Sequence, residues 1–190
     1  MKILNTSIED VKIIQPKRFG DQRGYFFESW HQVKYKEVGI TSSFVQDNCS
    51  MSRYGIIRGL HYQLTHPQAK LVQVLKGSVY DVAVDIRIGS PTFGQWVGVE
   101  LSEENGRQLY IPEGFAHGFC VTSEEAVFSY KCSDYYMPED EGGILWSDPG
   151  IGIEWPDVES VLSDKDRAYP CLADVDPSRL PTYGIAGGGV

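Results

Sequence analysis

His61, Lys70 and His117 are the residues of this chain whose types and spacing together could do chemistry. His61 and Gln63 lie in a strand-like run, where alternate side chains point the same way. Two histidines at that spacing could hold one metal ion between them. Glutamine in the second place leaves a single imidazole. By the same parity Lys70 shares a face with Val72 and Val74, so its ammonium is expected inside an apolar interior. A buried ammonium is costly unless it meets an anion. Asp81 could supply one, and so could an oxyanion formed during a reaction. The second option is a mechanism: a histidine removes a proton beside a carbonyl, and the lysine stabilises the enolate. Taken singly, each residue has a plainer reading, Lys70 as a solvated strand-edge cation and His61 as a hydrogen-bonded core histidine. Together they favour catalysis.

These residues must be held by strands. Residues 78–87 put Tyr80, Val82, Val84 and Ile86 on one face and Val79, Asp81, Ala83 and Asp85 on the other. Similar runs occur at 11–15, 24–28, 44–49, 56–63, 69–76, 95–101, 107–111, 115–121 and 126–132, with Gly or Pro in many of the gaps. Two helices are expected. One covers about 30–38, with Ser29 as N-cap and Gly39 beyond its end; the other is short, near 157–162. Many short strands without βαβ alternation predict a sandwich or barrel. No linker divides the chain, so 1–190 is expected to be one domain whose last residues, 182–190, form a mobile tail.

The motif Gly106-x5-Pro112-x-Gly114-x2-His117 has the spacing of the second cupin motif, and Gly55-x5-His61-x-Gln63 resembles the first. The resemblance implies a mainly β fold, a cupin-type jelly-roll β-barrel with a few short helices. Metal-binding cupins carry His-x-His and then a glutamate ahead of a later glycine. Counting back from Gly77, that glutamate position is Lys70. A protonated lysine repels a divalent cation, whereas zinc and iron sites use imidazole, thiolate or carboxylate. No metal is expected.

Composition narrows the partners. The chain has 190 residues, 42% hydrophobic and 23% charged, and a net charge of -9 from 17 basic and 26 acidic residues. That balance argues against a nucleic-acid-binding surface. No signal peptide, membrane span or dinucleotide or P-loop fingerprint stands out. Cys49, Cys120, Cys132 and Cys171 form no CxxC pair and read as buried free thiols of a cytoplasmic protein.

Longer segments carry a more specific resemblance. Residues 19–28 (FGDQRGYFFE), 44–48 (FVQDN), 58–63 (RGLHYQ), 90–96 (SPTFGQW), 111–119 (IPEGFAHGF), 152–156 (GIEWP) and 162–166 (LSDKD) resemble the dTDP-4-dehydrorhamnose 3,5-epimerase family, in order, from about residue 3 to 170. A slightly shorter loop between His61 and Lys70 and an unmatched tail are the visible departures.

That resemblance implies 3,5-epimerisation of a dTDP-4-keto-6-deoxy sugar with no cofactor, because the ketone already acidifies both neighbouring C–H bonds. His61 corresponds to the base, Asp166 to its carboxylate partner, and Lys70 to the group facing the enolate oxygen. Tyr130 corresponds to the acid on the opposite face; its plainer reading is a core aromatic beside Phe128. Arg23 and Arg58 are the expected diphosphate contacts, since guanidinium engages phosphate bidentately. Phe26, Glu28, Gln46, Asp47, Asn48, His117, Glu141 and Lys165 fall on substrate-contact positions, and Tyr136 on the aromatic that stacks on thymine. The family implies a homodimer that exchanges residues 1–30, which would put 23–28 in the partner's site. Three rivals remain: a mono-epimerase acting at C3 or C5 only, a metal-dependent cupin oxygenase, and a non-catalytic nucleotide-sugar binder.

Overall fold

Strand parity and the turns between strands decide this architecture. The computed structural model describes residues 1–184. In chain order its strands are β1 (Lys2–Asn5), β2 (Lys12–Gln15), β3 (Arg18–Asp21), β4 (Gly24–Phe27), β5 (Gln46–Arg53), β6 (Ile57–Gln63), β7 (Lys70–Lys76), β8 (Ser78–Asp85), β9 (Trp96–Ser102), β10 (Gln108–Ile111), β11 (Phe115–Val121), β12 (Glu125–Cys132) and β13 (Glu141–Gly143). Two short helices accompany them, α1 (Gln32–Glu37) and α2 (Asp164–Arg167).

The strands form a six-stranded sheet, β1-β2-β10-β7-β12-β5, and a five-stranded sheet, β13-β6-β11-β8-β9, with β3-β4 as a separate hairpin. The two sheets face each other as the expected jelly roll. Val72 and Val74 of β7, Leu109 of β10 and Phe128 of β12 pack against Val79 and Ala83 of β8 and Phe119 of β11. The opposite face of β8 is apolar too. Val82, Val84 and Ile86 are covered by Ile144, Ile151, Leu172 and Leu180, so the C-terminal segment is the lid over the five-stranded sheet. The six-stranded sheet is backed by α1, where Tyr35 meets Ile14, Leu71 and Tyr110. Each fully buried aliphatic side chain contributes roughly 1.5–3 kcal/mol relative to exposure, which explains why an eight-residue β8 with two apolar faces sits inside the five-stranded sheet.

Several local expectations fail for tertiary reasons. Helix α1 is shorter than 30–38 and starts after His31, not Ser29. The carbonyl of Ser29 instead accepts from Gln108 Nε2 at 2.7 Å and Tyr35 Oη at 3.2 Å. Residues 157–162 are not helical. The segment is drawn out beside β6, with Ile57 N–H donating to the Val161 carbonyl and Val161 N–H to that of Gly55, both at 2.9 Å. The helix begins later, at Asp164, capped by Ser163. The start of the tail is held rather than loose, since Tyr183 N–H donates to the Ile88 carbonyl at 2.9 Å; residues 185–190 lie outside the described part. The four cysteines are free, but Cys49 is exposed because it faces outward from edge strand β5.

One glycine is dictated by the site. Gly59 has φ +119°, and a Cβ there would lie 2.5 Å from Gly118 Cα and 2.6 Å from the His117 carbonyl oxygen. This close approach lets β6 and β11 bring His61 opposite His117. Gly59→Ala is expected to cost roughly 1–3 kcal/mol from backbone conformation alone, read as a lower urea midpoint. An unchanged midpoint would mean that the strands part freely.

Candidate active site

Most of the sequence-predicted residues meet in one cavity of about 580 Å³ that takes its walls from both sheets. His61 enters from β6. Its Nε2 is 2.6 Å from Asp166 Oδ1. Asp166 lies in the first turn of α2, and its N–H donates to Ser163 Oγ at 3.1 Å, so the helix cap aims the carboxylate. Burial pushes the Asp166 carboxyl up, but its bonds with His61, Ser163 and the Gly59 backbone outweigh this and hold it below the usual value. An ionised Asp166 accepts Nε2–H, which leaves the lone pair on Nδ1. The edge of Tyr169, with ring centres 5.8 Å apart, braces the imidazole.

Tyr130 enters from β12 in the opposite sheet. Its hydroxyl makes no protein hydrogen bond among the described residues, and burial pushes the phenol up, so it is neutral near pH 7. Its ring packs on Phe128, which stacks 4.2 Å from Phe119. Lys70 lines the cavity from β7, the strand beside β12 in the same sheet, in the predicted row with Val72 and Val74. Burial pushes its ammonium down. His117, on β11, places Nε2 3.0 Å from both oxygens of the fully buried Asp81.

Around the mouth, Glu141 Oε2 accepts from Tyr136 Oη at 2.8 Å and pairs with Lys165 Nζ, while Oε1 sits 3.7 Å from His61 Nδ1. Gln46 Oε1 accepts from Tyr136 N–H at 2.9 Å, and Gln46 Nε2 donates to Asn48 Oδ1 at 3.0 Å. Arg58 also lines the cavity and donates to Ser52 Oγ at 3.0 Å. Gln63 has a structural task. Its Nε2 donates to the carbonyls of His66 (2.7 Å) and Tyr135 (3.1 Å), and its Oε1 accepts from Met137 N–H at 2.9 Å. Among the described residues no group of three or more His, Cys, Asp and Glu is arranged to hold a metal ion.

Four expected residues are not in this cavity. Asp47 lies between Gln46 and Asn48, so strand parity turns it outward to Lys131 at 2.8 Å, with its side chain 66% exposed. Arg23 sits at the turn between β3 and β4 and pairs with Asp21; Glu28 pairs with Lys34 at 2.8 Å. Phe26 is 70% exposed on that hairpin. Sequence reasoning missed Ser50, Gln68, Ser163 and Tyr169. Ser50 follows Gln46 and Asn48 at strand spacing and could have been found that way. The other three sit in loops or at their ends, where no periodicity marks them.

A jelly-roll cavity that sets an imidazole–carboxylate pair on one sheet against a neutral phenol and an amine on the other has the equipment of an isomerase that moves protons on and off carbon. A family model for dTDP-4-dehydrorhamnose 3,5-epimerase matches residues 5–174, and the chain belongs to that family. The dTDP-4-dehydrorhamnose 3,5-epimerase of Shigella flexneri is 59% identical over 178 residues, covering 93% of this chain and 98% of that protein. The dTDP-6-deoxy-D-glucose-3,5-epimerase of Legionella pneumophila, solved in complex with dTDP-4-keto-L-rhamnose, superposes with a TM-score of 0.95 at 57% identity, covering 97% of this chain and 99% of that one. A dTDP-4-dehydrorhamnose 3-epimerase from Streptomyces niveus is 39% identical over 186 residues, 96% of this chain and 90% of that protein.

Proposed function

We propose that this chain epimerises dTDP-4-dehydro-6-deoxy-D-glucose at C3 and C5 to dTDP-4-dehydro-L-rhamnose, a step of dTDP-L-rhamnose synthesis. The carrying observation is the placement of His61–Asp166 and Tyr130 on opposed sheets of one cavity, with Lys70 lining the same cavity from the strand beside Tyr130. Inversion needs two proton-handling groups on opposite faces of a planar intermediate. His61 Nδ1 takes the proton from a carbon beside the C4 ketone, and the electron pair moves to the ketone oxygen. Lys70 holds that oxyanion and Asp166 stabilises the imidazolium. Tyr130 then delivers its proton to the far face. The phenolate regains a proton and the imidazolium loses one, which resets the site for the second carbon.

The same reading gives Arg58 to the diphosphate, Tyr136 to the thymine ring, and Gln46, Asn48, His117, Glu141 and Lys165 to the substrate. It draws Arg23, Phe26 and Glu28 from the partner subunit of a homodimer that exchanges residues 1–30. An isolated two-stranded hairpin is marginal in water, and this one exposes Phe19, Tyr25 and Phe26 at 55%, 56% and 70%, as a surface awaiting cover would. The free, buried Cys120 and Cys132 suit a reducing cytoplasm.

The Streptomyces relative supports a second reading, inversion at one carbon only. Turnover in D2O separates the two. Label at both C3 and C5 of an inverted product supports double epimerisation, and label and inversion at one carbon alone would replace it with the mono-epimerase. Tyr130→Phe is expected to cut inverted product by about 100-fold or more while His61 still exchanges protons on its own face. Full-rate inversion by that variant would remove Tyr130 from the acid role.

A further inference from the structure

The charge on Lys70 needs a source of support. Around it stand Cys132 from β12, Asp81 from β8, Glu141 from β13 and His117 from β11. The thiol of Cys132 is pushed up by burial and is neutral near pH 7. Glu141 already has a cation, Lys165. Asp81 is fully buried, and its one hydrogen-bond partner among the described residues is His117. Burial pushes that imidazole down, towards its neutral form, although Asp81 pulls the other way. Burial also favours a protonated Asp81, but the geometry opposes that. Nε2 stands 3.0 Å from each carboxylate oxygen, the arrangement of one N–H shared by both oxygens of an anion. A carboxylic O–H would favour one oxygen.

We propose that Asp81 is a positioning residue for this chemistry, an anion fixed by a neutral His117 that keeps Lys70 protonated where the enolate oxygen forms. Asp81, neutral His117 and Lys70 then sum to zero charge at the cavity floor, which a buried site requires. The role of the oxyanion rests on the proposed epimerisation; the charge arrangement does not.

Asp81→Asn tests it, since the amide oxygen can still accept Nε2–H while the charge is gone. The alkaline limb of kcat/KM is expected to move to lower pH by about one unit or more, with activity regained as pH is lowered and dTDP affinity unchanged. A limb that stays in place, in a variant with the parent's unfolding midpoint and dTDP affinity, overturns the proposal. The unsubstituted protein gives an independent readout through 15N-histidine NMR. A neutral His117 ring protonated at Nε2 near neutral pH is expected, and an imidazolium or an Nδ1–H tautomer there overturns the proposal even if the variant fails to fold. If the parent protein does not epimerise the sugar, the functional reading fails while the NMR result still decides the charge arrangement. If it does epimerise and the limb is unmoved, only the role of Asp81 falls.

Discussion

Replacing His61 with alanine is expected to lower turnover by about 10²–10⁴-fold while leaving dTDP affinity nearly intact. The imidazole has the Asp166 carboxylate behind it at 2.6 Å and its Nδ1 lone pair free for the substrate. The nucleotide contacts proposed here, Arg58 and Tyr136, do not depend on it. Deuterium exchange into the substrate and calorimetric titration with dTDP are the two readouts. Exchange at the parent rate would remove His61 from the base role. The substitution also strands Asp166. Its carboxyl is held low in the folded protein, partly by His61, and a depressed carboxylate adds stability that is present above its unfolded pKa and fades as pH falls through the folded one. The stability gap between parent and alanine variant is therefore expected to be widest at neutral pH and to narrow in acid.

Lys70→Met is expected to separate activity from stability. Loss of the group facing the oxyanion should cost about 10²–10³-fold in kcat. The protein, however, loses a buried cation from a wall it shares with Val72 and Val74, and an unbranched apolar side chain of similar length fits that wall. Exchanging a buried charge for an apolar group is often neutral or stabilising. The unfolding midpoint should hold or rise as turnover collapses. A lower midpoint with retained activity would make Lys70 a structural residue.

The parts of this site that obey strand parity were legible before any coordinates. The row Lys70, Val72, Val74 points inward as its parity predicts, and His61 and Tyr130 stand on opposed sheets. Asp47 is named on the family resemblance alone; strand parity sets it on the face opposite Gln46 and Asn48, where it pairs with Lys131. The segment 157–162 was misread because a non-local bridge to Gly55 and Ile57 outweighs its local preference. Strands β1, β3 and β13 are too short to show alternation, and Glu141-Gly142-Gly143 has no strand propensity of its own. Its pairing with β6, Glu141 opposite Gln63, is what carries Glu141 to His61.

The threefold grip of Gln63 on the backbone of residues 66, 135 and 137 also bears on ancestry. If a metal-binding barrel preceded this one, putting histidine back at that position would no longer restore a ligand pair, because an imidazole cannot make all three of those bonds and the stretch bearing Tyr136 would come adrift. In such a lineage the change would act as a ratchet, since the backbone at residues 66, 135 and 137 now depends on the glutamine.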